Sequence, residues 1–298
     1  MGNILGDFSR WVKLRLTGPD RKEFLNGLLT NDILKLEPGQ GCLACILTPQ
    51  GMLRGDLELY DRGEDFLALA SPKAGANLKE DLAKKIMLSQ TRMEDVSGVL
   101  RLFYLTGTEA PIDLATGVEV LPRVMPHPPG FWILAPEPAA EGTWKALLEK
   151  GTNALDERAL EILRVENGVP LYGMDMDENT IPLEARLNPA VSFDKGCYMG
   201  QETIARIHFK GHINRTLVGL KLNGDELPDF GAPVFSGDRA IGYLTSRVRS
   251  AQLGVLALAM ARVEHNQEKT PLRVNSNGKF LTGEVIPLPF LNSFLPKT

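Results

Sequence analysis

The chain has 298 residues, more than a single hydrophobic core usually organises, so two or three domains are expected. Apolar residues make up 43% and charged residues 23%, the balance of an ordinary globular protein, and a formal net charge of −4 excludes a global basic field for recruiting nucleic acid. Three cysteines, an odd count, argue against a secreted disulfide framework and for a reducing, cytoplasmic setting.

Residues 1–16 contain no apolar core of signal-peptide length, and the longest apolar run, 253–261, is too short to span a bilayer. In chain order, residues 11–16 alternate apolar and polar and predict a half-buried strand. Residues 20–29 predict a helix capped by Asp20, and 41–47 and 55–60 predict strands joined through the turn at 48–51. A strand at 65–70, a helix at 74–87 and strands at 91–96 and 100–106 follow. Residues 107–138 are rich in proline and glycine, with a strand at 131–134; helices are expected at 143–150 and 156–166. Residues 174–193 form a polar connection, a length that usually signals function or disorder. Short strands at 216–222, 232–236, 240–248, 255–263, 271–275 and 279–286 predict a small antiparallel barrel. The expected class is therefore α+β, with a domain over 1–212 and a barrel over 213–298.

The least accidental stretch is Lys195-Gly196-Cys197-Tyr198-Met199-Gly200-Gln201-Glu202. A thiol sits between glycines, with a cation two residues before it that would favour the thiolate. Gln201 and Glu202 add side-chain donor and acceptor groups. The stretch resembles the defining motif of the YgfZ/Iba57 family of folate-binding proteins, which are related to the T-protein (aminomethyltransferase) of the glycine cleavage system. Residues 16–20, 29–33, 47–51, 55–60, 164–173, 215–220 and 242–246 are similar to that superfamily in the same order, so the resemblance spans nearly the whole chain.

The resemblance implies a tetrahydrofolate cofactor, with Cys197 as the functional thiol and Lys195 tuning it. It also implies iron–sulfur client or assembly proteins as partners, with tRNA modification affected through them. Asp56 aligns with the aminomethyltransferase carboxylate that assists one-carbon transfer; strand alternation puts it on one face with Glu58 and Tyr60. A solvated strand face explains the same pattern. Glu166 suits the amino-pyrimidinone edge of a pterin, with Tyr172 beside it, and Trp11 suits stacking on the flat ring. Lys195, Arg206, Lys210 and Arg215 oppose only Asp194 and Glu202 in residues 194–215, a strip suited to the glutamate tail of folate or to a phosphate.

Two departures stand out. Leu160 replaces the tryptophan of YgfZ-type relatives and the arginine of aminomethyltransferases. Residues 129–133 lack the Gly-Tyr-Thr-Gly-Glu stretch of the latter. A metal site built on Cys42 and Cys45 is disfavoured, because strand residues three apart face opposite sides. The leading expectation is a folate-binding protein supporting iron–sulfur cluster assembly or repair. The alternative is a tetrahydrofolate-dependent aminomethyltransferase using Asp56. No membrane partner and no direct nucleic-acid contact are expected.

Overall fold

The computed structural model describes residues 3–107, 109–110 and 114–290; the side chain of Lys210 lies outside the described ones. The chain begins β1 (Ile4–Asp7), β2 (Val12–Thr17), α1 (Arg21–Leu28), β3 (Gly41–Leu47), β4 (Leu53–Asp61), β5 (Phe66–Ala70) and α2 (Pro72–Ile86). It continues β6 (Arg92–Asp95), β7 (Leu100–Thr106), β8 (Glu119–Pro122), β9 (Phe131–Pro136), α3 (Glu137–Glu149), β10 (Asn153–Leu155), α4 (Glu157–Glu166) and α5 (Gln201–Lys210). Six strands close it: β11 (Arg215–Leu222), β12 (Pro233–Ser236), β13 (Arg239–Ser250), β14 (Gly254–Arg262), β15 (Pro271–Ser276) and β16 (Lys279–Ile286).

Two compact units form, and they do not follow a single cut in the chain. One comprises residues up to Asp156 with Pro189–Ile204; the other comprises Glu157–Asn188 with the chain from Ala205 onward. The first unit holds two five-stranded sheets. In one, ordered β10-β1-β7-β9-β8, only the β1–β10 pair is parallel; Leu5, Phe103, Leu105, Ile133 and Ala135 pack there with Leu147 of α3. The other, ordered β3-β4-β5-β2-β6, is antiparallel throughout and is covered by α2. The run Phe66-Leu67-Ala68-Leu69-Ala70 is buried along its whole length, so β5 carries apolar residues on both faces rather than alternating.

The second unit is the six-stranded antiparallel barrel, closed in the order β11-β14-β13-β12-β15-β16, together with α4. β14 shows how one strand serves two cores. Val255, Ala257, Ala259 and Ala261 join one cluster with Val218, Leu220 and Val274, whereas Leu256 and Leu258 join another with Val165 of α4, Leu217 and Val248. Alternation along a strand produces this division. The expected α+β class with mixed and antiparallel sheets and a terminal barrel is thus present.

Local expectations changed in three places. Asp20 makes no capping hydrogen bond to α1; its carboxylate accepts from the Gln90 amide (2.7 Å) and the Thr91 hydroxyl (2.8 Å). Lys13, a polar position in the alternating 11–16 stretch, is fully buried, and its ammonium donates to the carbonyls of Ser9 (2.7 Å) and Trp11 (2.8 Å). Among the described strands and α-helices, β1, β8, β10 and α5 were not anticipated.

Candidate functional site

In β4 the residues Asp56, Glu58 and Tyr60 share one face, as alternation requires. Glu58 is almost fully buried and accepts four hydrogen bonds: Tyr60 OH (2.7 Å), Trp132 Nε1 (2.9 Å) and the Val124 amide (3.0 Å) on Oε2, and Arg123 Nε (3.4 Å) on Oε1. The Arg123 guanidinium also lies over the rings of Tyr104 (5.0 Å) and Trp132 (5.4 Å). Four donors make Glu58 a satisfied carboxylate. Burial, followed by the Glu58 charge and hydrogen bond, raises the Tyr60 phenol well above its usual range, so it stays a donor.

Asp56 is the opposite case. Its Oδ1 is buried and has no hydrogen-bond partner among the described residues. Burial pushes its carboxyl up to about 7, with the neighbouring Glu58 charge adding to the rise and its own backbone opposing it. Across the ladder, Asp56 faces Cys45 of β3, a buried thiol that burial raises well above its usual value. Asp56 can therefore take up or release a proton near neutral pH. Trp11 is half-buried at the edge of the same aromatic group, 5.5 Å from Phe8 and 5.3 Å from Trp132 between ring centroids.

The octapeptide lies in the same unit as far as Ile204. The Lys195 ammonium donates to three carbonyls, those of Asn26 (2.7 Å), Leu29 (2.8 Å) and Asn31 (2.6 Å), and sits 5.1 Å from the Tyr198 ring. It closes the C-terminal end of α1, whose last carbonyls have no partner within the helix. Burial pulls Lys195 down to about 8, against the opposing charges of Asp32 and Cys42. Its ammonium therefore serves the end of α1 and lies within electrostatic reach of Cys42.

Cys197 is exposed and Tyr198 is buried, with its phenol pushed up to about 12 by burial. Gly200 has φ +80°, and a Cβ there would lie 2.5 Å from the Thr48 carbonyl oxygen, so only glycine lets the motif rest on the 48–51 turn. Gln201 Oε1 accepts the Tyr198 amide (3.0 Å), and Gln201 starts α5. Glu202 is exposed in the first turn of that helix, where the dipole favours a negative charge; Arg206 is exposed further along it.

The remaining candidates belong to the other unit. Glu166, the last residue of α4, is only 7% exposed, yet among the described residues its carboxylate has no hydrogen bond or ion pair. Its backbone carbonyl accepts the Phe290 amide (2.9 Å). Tyr172 is buried and bridges to Met176.

Sequence reasoning assigned no site role to Glu58, Arg123, Trp132, Arg164 or Asp175. The first three meet across 65 and 74 residues of sequence separation, which no local pattern signals. Cys42 is half-buried, with its thiol raised by burial to about 12, and Cys45 is buried, so neither favours the thiolate a metal needs. Among the described residues no helix is long and apolar enough to cross a membrane.

Known proteins give the arrangement a context. Residues 2–119 and 129–195 match the GCVT N-terminal domain, and 215–292 match the glycine cleavage T-protein C-terminal barrel domain. An aminomethyltransferase of Rubrobacter xylanophilus is 30% identical, covering 96% of this chain and 82% of that protein. One from Nostoc sp. is 28% identical, covering 96% and 84%. The crystal structure of glycine cleavage system aminomethyltransferase T from Bartonella henselae superposes with a TM-score of 0.87 over 97% of this chain and 86% of that one, at 23% identity, so the fold is shared. With both domain families matched in order along the chain, this protein belongs to the glycine cleavage T-protein family.

Proposed function

We propose that this protein is a tetrahydrofolate-dependent one-carbon transferase of the aminomethyl type, with Asp56 as its proton-handling residue. The observation that carries the reading is the buried, unpartnered Oδ1 of Asp56 on a carboxyl raised to about 7. An orphaned acceptor inside a fold is costly unless a ligand or water completes it. Glu166 supports the same reading, as a largely buried residue whose carboxylate makes no hydrogen bond or ion pair among the described residues. The chemistry of each residue suits the group: a carboxyl near 7 holds or releases a proton at an amine, and a carboxylate accepts paired N–H donors. Tetrahydrofolate, when bound, supplies the nucleophilic amine that takes up a one-carbon unit. The aminomethyltransferases this chain resembles over most of their length favour this reading over an iron–sulfur role.

Calorimetric titration with tetrahydrofolate, paired with an aminomethyl-transfer assay, tests it. We expect saturable binding, and at least tenfold slower transfer by Asp56→Asn, the scale of a lost acid–base group. Asp56→Asn with undiminished transfer ends the proposal.

A second reading rests on the octapeptide, which carries an exposed thiol on a loop anchored by Lys195, Gly200 and Gln201. It makes the chain a YgfZ/Iba57-type folate protein acting on iron–sulfur clients through Cys197. Restoration of iron–sulfur enzyme activity in cells by Asp56→Asn but not by Cys197→Ser would favour it; the reverse pattern favours transfer chemistry.

A further inference from the structure

Two residues before Glu166, Arg164 enters a polar network inside the barrel-containing unit. Asp175 is fully buried. Its Oδ1 accepts the hydroxyls of Thr245 (2.6 Å) and Ser246 (2.7 Å), and its Oδ2 accepts Arg164 Nη1 (2.6 Å) and the Leu171 amide (3.0 Å). Arg164 also donates to both carboxylate oxygens of Glu161, to Ser246 Oγ (2.6 Å) and to the Val169 carbonyl (2.5 Å).

Consecutive strand residues point to opposite faces, so Thr245 and Ser246 should not reach one carboxylate. They do because the β13–β14 register shifts here: Leu244 pairs with Ala259 and Ser246 pairs with Leu258, leaving Thr245 as the extra residue of a bulge. Bulges re-aim side chains in this way.

The network closes on the segment that carries Glu166. Arg164 holds the Val169 carbonyl, Gly168 turns at φ +64° with Leu288 where a Cβ would stand, and the Glu166 carbonyl accepts the Phe290 amide. α4 is also attached to the barrel by apolar contact, through Val165 against Leu217, Val248, Leu256 and Leu258. Apolar burial holds the helix down but is non-directional. A buried ion pair adds little stability over apolar packing of the same volume, whereas its hydrogen bonds fix direction. The polar contacts of Arg164 and of the Glu166 carbonyl lie at the end of α4 that bears Glu166.

We propose that Asp175, with Arg164 and the bulge hydroxyls of Thr245 and Ser246, is a positioning clamp that sets the orientation of Glu166 for its ligand. This rests on the reading of Glu166 as a ligand-binding carboxylate. Asp175 touches no ligand; it acts through the end of α4.

The test is a mutant cycle read by calorimetric titration with tetrahydrofolate and by hydrogen exchange. Glu166→Gln should weaken binding roughly tenfold or more, as loss of a charged hydrogen-bond partner does. The mild double variant Thr245→Val/Ser246→Ala keeps Asp175 and Arg164 in place; it should weaken binding about three- to tenfold on the scale of one or two neutral hydrogen bonds. Combining all three changes should be no worse than Glu166→Gln alone, because the clamp acts only through Glu166. A merely structural role would give an additive loss.

Hydrogen exchange over 163–170 should accelerate in the double variant while β11 and β14 keep their protection, a readout that needs no ligand. Unchanged exchange, unchanged affinity in the double variant, or additive losses overturn the clamp. Full affinity in Glu166→Gln, or no binding by the wild type, overturns instead the reading on which the clamp rests, and the clamp with it. Asp175→Asn provides a stronger perturbation, to be read only where its circular dichroism matches the wild type.

Discussion

At the scale of residues, β4 sets two carboxyls two positions apart in opposite circumstances. Glu58 receives four donors, and the nearest of them come from side chains that are themselves buried. Asp56 has an acceptor with none. The difference has a thermodynamic consequence. Asp56 keeps its proton to about 7 in the fold, against 3.8 for an ordinary aspartate. Between those values the folded state binds more protons than the unfolded state, so stability falls as pH rises through that window, and the cost is complete above 7. Asp56→Asn removes the ionisable group and should therefore stabilise the protein at pH 8, by about 2–4 kcal/mol from the shift itself, and by almost nothing at pH 4. Thermal melts of both proteins at the two pH values measure this. An equal change at both would mean that the carboxyl is not held neutral. A variant that is more stable yet slower in transfer is the usual sign of a functional group kept at the expense of stability.

At the scale of elements, the octapeptide is best understood through what it grips. Lys195 places a cation on the open carbonyls at the end of α1, and Thr30 ties the neighbouring strand and loop by donating to the Ala190 carbonyl (2.5 Å) while accepting the Cys45 amide (2.8 Å). The loop is therefore a bracket between α1, β3 and the 48–51 turn, and Cys197 projects from a fixed base. Lys195→Met leaves three carbonyls without their donor and should destabilise the protein by about 1–3 kcal/mol, the cost of buried acceptors losing a partner. It should also open the half-buried Cys42, a thiol on which the lysine charge acts, to alkylation by iodoacetamide. Mass spectrometry of labelled peptides checks this; wild-type stability with Cys42 still protected would remove the bracket. The reactivity of Cys197 should change little, since it is already exposed.

At the scale of the whole molecule, the sequence showed the six barrel strands to within a few residues, because glycine- and proline-bounded runs repeat there at short intervals. It also singled out the octapeptide by its rare residue order and Asp56 by its place in the family resemblance. It did not show β1, β8 or β10, which have three or four residues each and little room for a period. α5 was hidden behind the motif that precedes it, although Ile204 and Ile207 have helical spacing. Nor could it show Glu58 meeting Trp132, or the direction in which Lys195 points, since both depend on tertiary packing.

The division of the chain depends on packing in the same way. A cut at 212 follows the change from helices to short strands, yet Val165 of α4 packs with Leu217, Val248, Leu256 and Leu258, and the Leu217 amide donates to the Glu184 carbonyl (2.8 Å). A fragment of residues 213–298 would leave those four apolar side chains open, at a cost of up to roughly 1.5–3 kcal/mol for each one fully uncovered. That is comparable with the total stability of a small domain, about 5–15 kcal/mol. Fragment 157–298 supplies α4, the Asp175 network and the Glu184 contact. It should melt cooperatively in circular dichroism, whereas 213–298 should show a broad transition and bind a hydrophobic dye. Two fragments melting alike would mean that the barrel stands without α4, and that the change of pattern near 212 marks the true boundary.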